Sequence, residues 1–201
     1  NVRTVDATAW QSPCWISAVA ILMPNPRSLA VCGPLDLNTA RLFSSVLTDI
    51  TFVCTFVTLM RGSAAHGMLV RNVAGTLQRL CIRIPPNRRE DVNAAWLSQV
   101  VQPLRAHCCL SVINECATVT LPPMDQWTHN CKAVSVTSCT KMTGLVPASS
   151  KRVALHGPIQ GWALPANSAC TTLQLHYTGM PLNEASVKEM RARAPLLQRF
   201  E

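Results

Sequence analysis

The chain has 201 residues, is 48% hydrophobic but only 14% charged, and carries 18 Lys and Arg against 10 Asp and Glu for a formal charge of +8. That apolar content excludes intrinsic disorder, which needs low hydrophobicity and high net charge. The charged fraction falls well below the about 25% of an ordinary soluble domain, which suits a chain that covers part of its surface with a partner. The longest apolar runs, Cys14–Met23 and Ile50–Met60, are about half the roughly 20 residues of a membrane span, so no transmembrane helix is expected.

The chain begins at Asn1 rather than Met, and no basic start precedes an apolar stretch of signal-peptide length. A chain that is not secreted, and that is processed or part of a longer protein, is expected. In residues 1–27, Trp10, Trp15, Ile16, Val19, Ile21 and Leu22 make an apolar stretch that ends at Pro24-Asn25-Pro26. It reads as an N-terminal cap segment over a body formed by residues 28–201.

From residue 28 a short motif recurs, an apolar-x-apolar step preceded three residues earlier by another small or apolar residue. Leu29-Ala-Val31 and the run from Ile50 through Val53 are degenerate copies. Leu77-Gln-Arg-Leu80-Cys-Ile82, Cys131-Lys-Ala-Val134-Ser-Val136 and Cys170-Thr-Thr-Leu173-Gln-Leu175 are clear ones. His107-Cys-Cys-Leu110-Ser-Val112 and Ser150-Lys-Arg-Val153-Ala-Leu155 are weaker ones. With Leu29, Val53, Leu80, Leu110, Val134, Val153 and Leu173 taken as equivalent, the spacings are 24, 27, 30, 24, 19 and 20 residues. Between the motifs, Asp36–Thr48 and Glu90–Ala106 show helical spacing of apolar residues. Asn183–Ala194 has a helix-capping Asn183, an early Glu184 and late Lys188, Arg191 and Arg193, with Pro195 to end it. The short units near 131–169, rich in Gly and Pro, leave room only for an extended return.

The motif and its period resemble those of leucine-rich repeats. The resemblance implies an α/β fold: a leucine-rich-repeat-like solenoid with a short parallel sheet and mixed helical and extended return segments. Each unit offers two inward apolar side chains that it cannot bury alone, so stacking is obligatory. The family's turn-forming Asn after each strand is missing at the corresponding positions, which hold Pro85, Glu115, Cys139, Pro158 and Thr178.

The ten cysteines lack the close pairs of zinc sites and recur beside the motifs, so they read as small buried hydrophobes in a reducing compartment, cytoplasmic or mitochondrial. No cofactor and no metal is expected. Gln11-Ser-Pro-Cys14-Trp15 resembles the nucleophile segment of papain-like cysteine proteases. In that alternative Cys14 is the nucleophile, and a histidine such as His156 or His176 draws its proton. Nucleotide-binding, α/β-hydrolase and zincin motifs are absent from the sequence.

Binding is the stronger expectation. Strand alternation sends Arg79, Arg83, Arg152, His156, Gln174 and His176 to the sheet face opposite the core, among small residues and with no acid at the fifteen mapped positions. Lys188, Arg191 and Arg193 on the C-terminal helix are expected to extend this basic surface. The sequence therefore points to a non-enzymatic scaffold for protein–protein interaction, one subunit of a larger intracellular assembly. Its partners are other protein subunits, with nonspecific RNA phosphate contacts if the assembly is a ribonucleoprotein.

Overall fold

Alternating apolar and polar residues recur in nine short strands that pair in parallel into one sheet. The strands are β1 (Thr4–Ala7), β2 (Ser28–Cys32), β3 (Asp49–Val53), β4 (Arg79–Ile84), β5 (Cys109–Asn114), β6 (Ala133–Ser138), β8 (Arg152–His156), β10 (Thr172–His176) and β11 (Arg199–Phe200). Each lies beside its predecessor in that order, and every pairing is parallel. Two further strands, β7 (Met142–Leu145) and β9 (Ile159–Ala163), form a small parallel sheet in the returns between β6 and β10. The computed structural model describes residues 3–8, 13–23, 25–33, 35–43, 46–54, 63–86, 94–127, 130–176 and 183–201.

The architecture is therefore α/β with a mostly parallel sheet. The five strands foreseen near 79–83, 109–113, 133–137, 152–156 and 172–176 are present, and their inward pairs, from Leu80/Ile82 to Leu173/Leu175, are buried. A one-residue slip would turn every such pair to the other face, so this alternation fixes the register. Three details differ from the sequence reading. Ile50, not Val53, aligns with Leu29 and Leu80. The inward pair of β3 is Ile50 and Phe52, and Val53 stands in the outward column beside Arg83. The sheet also begins ahead of residue 28, because Val5 and Ala7 of β1 are buried and aligned with Leu29 and Val31. A boundary at residue 27 thus does not separate a cap from the sheet.

Helices pack against the inward residues. They are α1 (Pro13–Leu22), α2 (Leu37–Leu42), α3 (Ser63–Val73), α4 (Ala94–Val101) and α5 (Glu184–Arg193). Ile16, Ala40, Leu69, Val73, Trp96, Val100 and Met190 join the strands' apolar pairs in one core. Asp36 caps α2 by accepting from Thr39 N at 2.7 Å, and this bond holds its carboxyl below the usual range. Asn183 caps α5 in the same way through Ser186 N at 2.8 Å. The helix foreseen in 90–106 is found as α4, residues 90–93 lying outside the described set. Helix α3 had no counterpart in the sequence reading. Its Gly67 hides the pattern, yet a Cβ there would sit 3.0 Å from Gln99 O, so the glycine permits the close approach of α3 and α4. From β6 to β10 the returns are extended, as their length required. No helix among the described residues is long and apolar enough to cross a membrane.

Buried polar groups tie the strand exits. Asn114, 1% exposed at the end of β5, donates through Nδ2 to Val119 O at 2.9 Å and to Thr140 Oγ1 at 3.1 Å, and accepts from Cys116 N at 3.1 Å. An asparagine at a strand exit is thus present after all, one residue earlier than the position where it was sought. Its ladder neighbour Ser138 accepts from Thr140 N at 3.1 Å. Gly157 follows His156, which is aligned with Thr137, and so it comes up against Ser138. There the φ is +122° and a Cβ would stand 1.9 Å from Ser138 O. That contact involves backbone on both sides and cannot relax by a rotamer change.

Gly157→Ala should therefore cost about 3 kcal/mol or more of stability, from a left-handed φ and a backbone clash together. Gly75→Ala, where nothing lies within 4 Å, should stay within about 0.5 kcal/mol. Denaturant unfolding of the two variants beside the parent chain measures both, and equal losses would refute the clash.

Candidate functional site

The outward residues of β4 to β11 form three registered columns. The first runs Arg79, Cys109, Ala133, Arg152, Thr172, Arg199. The second runs Cys81, Ser111, Ser135, Ala154, Gln174, and the third Arg83, Ile113, Thr137, His156, His176. Small residues occupy the centre, so the face dips into a hollow of about 590 Å³ floored by Ser111, Ala133, Ser135 and Ala154. Arg79 borders one side, and Arg152, Arg199, His156 and Gln174 border the other. Arg79 and Arg152 stand three strands apart, a gap of about 14 Å at ordinary strand spacing.

The charge on this face is more balanced than its fifteen mapped positions suggest. Asp49, directly aligned with Arg79 on β3, lies 3.7 Å from its guanidinium. Glu115, just past β5, takes Arg83 in a forked contact, Nη2 to Oε1 at 2.9 Å and Nε to Oε2 at 3.1 Å. Glu201 contacts Arg199 and accepts from Gln174 Nε2, and these two bonds, Gln174 first, hold its carboxyl below the usual range. These pairs are exposed and each contributes little to stability. They nevertheless cancel three of the face's cations. Arg152 has no carboxylate partner among the described residues.

His156 and His176 are neighbours on β8 and β10, and their rings stack with centroids 4.4 Å apart and planes within 5°. Burial, and then the charge of His176, push the His156 pKa below its ordinary value. An imidazole pair so close resists taking up two protons. Burial pushes the Cys81 thiol up, and it pushes Cys108 up to about 12. Five of the nine described cysteines are buried. No group of three or more His, Cys, Asp or Glu among the described residues is placed to hold a metal ion.

The structure thus gathers Arg79, Arg83, Arg152, His156, Gln174 and His176 on one open face, as the alternation implied. It does not bring Lys188, Arg191 and Arg193 to that face. Met190 and Ala194 enter the same core as Leu173 and Leu175, which places α5 on the covered side of the sheet. Arg193 is occupied there by Glu189 Oε1 at 3.0 Å and Leu164 O at 3.2 Å. Cys14 lies on α1, between β1 and β2, while His156 stands on β8. That is five strand steps from β2, about 24 Å along the sheet, far beyond a nucleophile–base hydrogen bond. Arg199, Asp49, Glu115 and Glu201 were missed by the sequence reading. Aligning Ile50 with Leu80 would have exposed the Asp49–Arg79 pair. Neither a protein-family model, nor a curated protein, nor a solved structure matches this chain.

The histidine pair gives the face a pH response. The folded state favours neutral His156, so the unfolded chain binds the proton first. Stability is then full above about pH 6.5 and falls as the pH drops through the depressed folded value. His156→Gln should flatten this decline in melting temperature between about pH 7 and 5. Melting curves that keep the same pH slope in the variant would show that the pair does not set it.

Proposed function

We propose that the chain is a divergent leucine-rich-repeat-like solenoid acting as a non-enzymatic scaffold, one subunit of a larger intracellular assembly. The partner is a protein with an acidic surface element, and it docks on the open sheet face. One observation carries this reading. The five described helices lie on one side of a nine-strand parallel sheet, while the other side keeps a hollow of about 590 Å³ edged by Arg152, which has no carboxylate partner among the described residues. The smooth floor of small residues admits a protruding element, and the arginines and Gln174 at its margins supply donors for carboxylates. The free thiols, Cys81 and Cys109 half-buried and Cys139 exposed, suit a reducing compartment. The low charged fraction fits a subunit whose surface is partly covered.

Two substitutions on the face test this. Ala154→Trp fills the hollow, and Arg152→Glu reverses its unpaired cation, while both side chains point away from the core. Each should weaken association with the co-purifying partner protein by about tenfold, or 1.4 kcal/mol, with the circular dichroism and melting temperature of the parent chain. Association should also weaken as salt rises, because exposed charges are screened over about 8 Å at physiological ionic strength. Retention of the partner by both variants, or binding that strengthens with salt, would refute docking on this face.

A further inference from the structure

A second charged surface lies at the edge of the sheet where the strands begin. The residues just before successive strands continue the ladder: Thr48 N donates to Arg27 O, Gln78 N to Thr48 O, Lys132 N to Cys108 O, and Lys151 N to Lys132 O, all at 2.7–3.0 Å. Their side chains therefore repeat at the strand spacing along one rim. Arg27, Lys132 and Lys151 are exposed there, as are Arg105 and His107 in the turn that enters β5. Arg27, Thr48, Gln78 and His107 share one hollow of about 480 Å³.

This rim differs from the sheet face in lacking compensation. None of Arg27, Arg105, Lys132 and Lys151 has a carboxylate partner among the described residues. Asp49 is the one described carboxylate at this edge, and it is tied to Arg79 at 3.7 Å and to Thr48 Oγ1 at 2.7 Å. Of the other described acids, Asp6 lies within β1, and the rest sit at strand exits, in the returns or on α5. Apolar anchoring is slight among the described rim residues. Of the exposed large hydrophobics only Val46 lines its hollow. Protein interfaces draw most of their energy from buried aromatic or aliphatic anchors, whereas a phosphodiester backbone needs no such anchor and is held mainly by cationic and polar side chains.

We propose that the strand-entry rim is a binding track for the phosphate backbone of RNA, formed by Arg27, Arg105, Lys132 and Lys151. From β2 to β8 it spans five strand steps, about 24 Å, the length of about seven stacked nucleotides. The backbone amides of the rim are consumed by the ladder, so the contacts come from flexible side-chain cations and carry no sequence preference. This surface is separate from the protein-docking face, which it meets at Lys151 and Arg152.

Fluorescence anisotropy with an oligouridine and an RNA duplex, each of about 20 nucleotides or base pairs, tests the assignment between about 50 and 200 mM salt. The parent chain should bind both, with a linear dependence of log K on log salt. The variant with Arg27, Arg105, Lys132 and Lys151 each changed to Gln should lose about 2.8 units of that slope on the single strand. Lys132→Arg with Lys151→Arg should retain binding, which separates charge from misfolding. Ala154→Trp, which blocks the protein-docking face, should leave RNA affinity unchanged, so failure of one surface is distinguishable from failure of the other. Absence of RNA binding at low salt, an unchanged slope in the Gln variant, or equal affinity for polyglutamate of the same charge would overturn the proposal.

Discussion

Everything in this molecule depends on the parallel ladder, because no strand in it is self-sufficient. A strand of five or six residues offers two or three inward apolar side chains and a row of backbone donors and acceptors. Parallel pairing satisfies those groups only through the neighbours on both sides. The inward pairs, such as Ile50/Phe52 and Leu110/Val112, then stack into one uninterrupted core. The ladder runs past the strands themselves: Arg27, Thr48, Lys132 and Lys151 each accept from the following unit before its strand begins. At the exits, Asn114 and Ser138 replace backbone partners where the chain turns away, and Gly157 leaves room for the Ser138 carbonyl.

This dependence explains which parts of the fold were legible in the sequence. The central strands were, because two apolar side chains flanking one outward residue leave a period-two signal that survives in single units. The two ends were not. β1 holds a single large inward residue, Val5, and β11 has only two residues, so neither carries the motif, and both are placed by pairing with a neighbour already in the sheet. The register of β3 was misread because Ile50, Phe52 and Val53 are all large and apolar, and only the ladder decides which two face inward. Helix α3 was illegible because Ala64, Ala65, His66 and Gly67 give weak periodicity. Its buried His66 is accommodated by Phe52 and Trp96, in edge-on contacts at 4.8 and 6.1 Å, and by the Gly33 carbonyl at 3.2 Å. Contacts of that kind come from tertiary placement and leave no local trace.

The site was legible in position but not in electrostatics. Alternation was enough to assign Arg79, Arg83, Arg152, His156, Gln174 and His176 to one face. The carboxylates that offset them come from just outside the mapped strand positions: Asp49 from the neighbouring strand, Glu115 from one residue past β5, and Glu201 from the last residue of the chain. Counting charges strand by strand therefore overstated the basicity of the face. The helix trio was misplaced for a related reason. Sequence proximity to β10 says nothing about which side of the sheet α5 packs on, and Met190 decides it by entering the core.

Compensation of the face and its absence at the rim together place part of the excess positive charge of the chain at the strand entries. Pairs such as Arg83–Glu115 lie over the sheet, where strand spacing holds cation and carboxylate within reach of each other. The rim residues lie where the chain enters each strand, and the one described carboxylate at that edge, Asp49, is tied to Arg79. Repulsion between Lys132 and Lys151, one strand step apart, is modest in water because both are exposed. A stacked architecture tolerates such a line of cations more readily than a single-layer surface would, since the ladder and the core beneath hold the backbone independently of the charges. The same stacking that buries the apolar pairs thus leaves one edge free to accumulate charge without loss of fold.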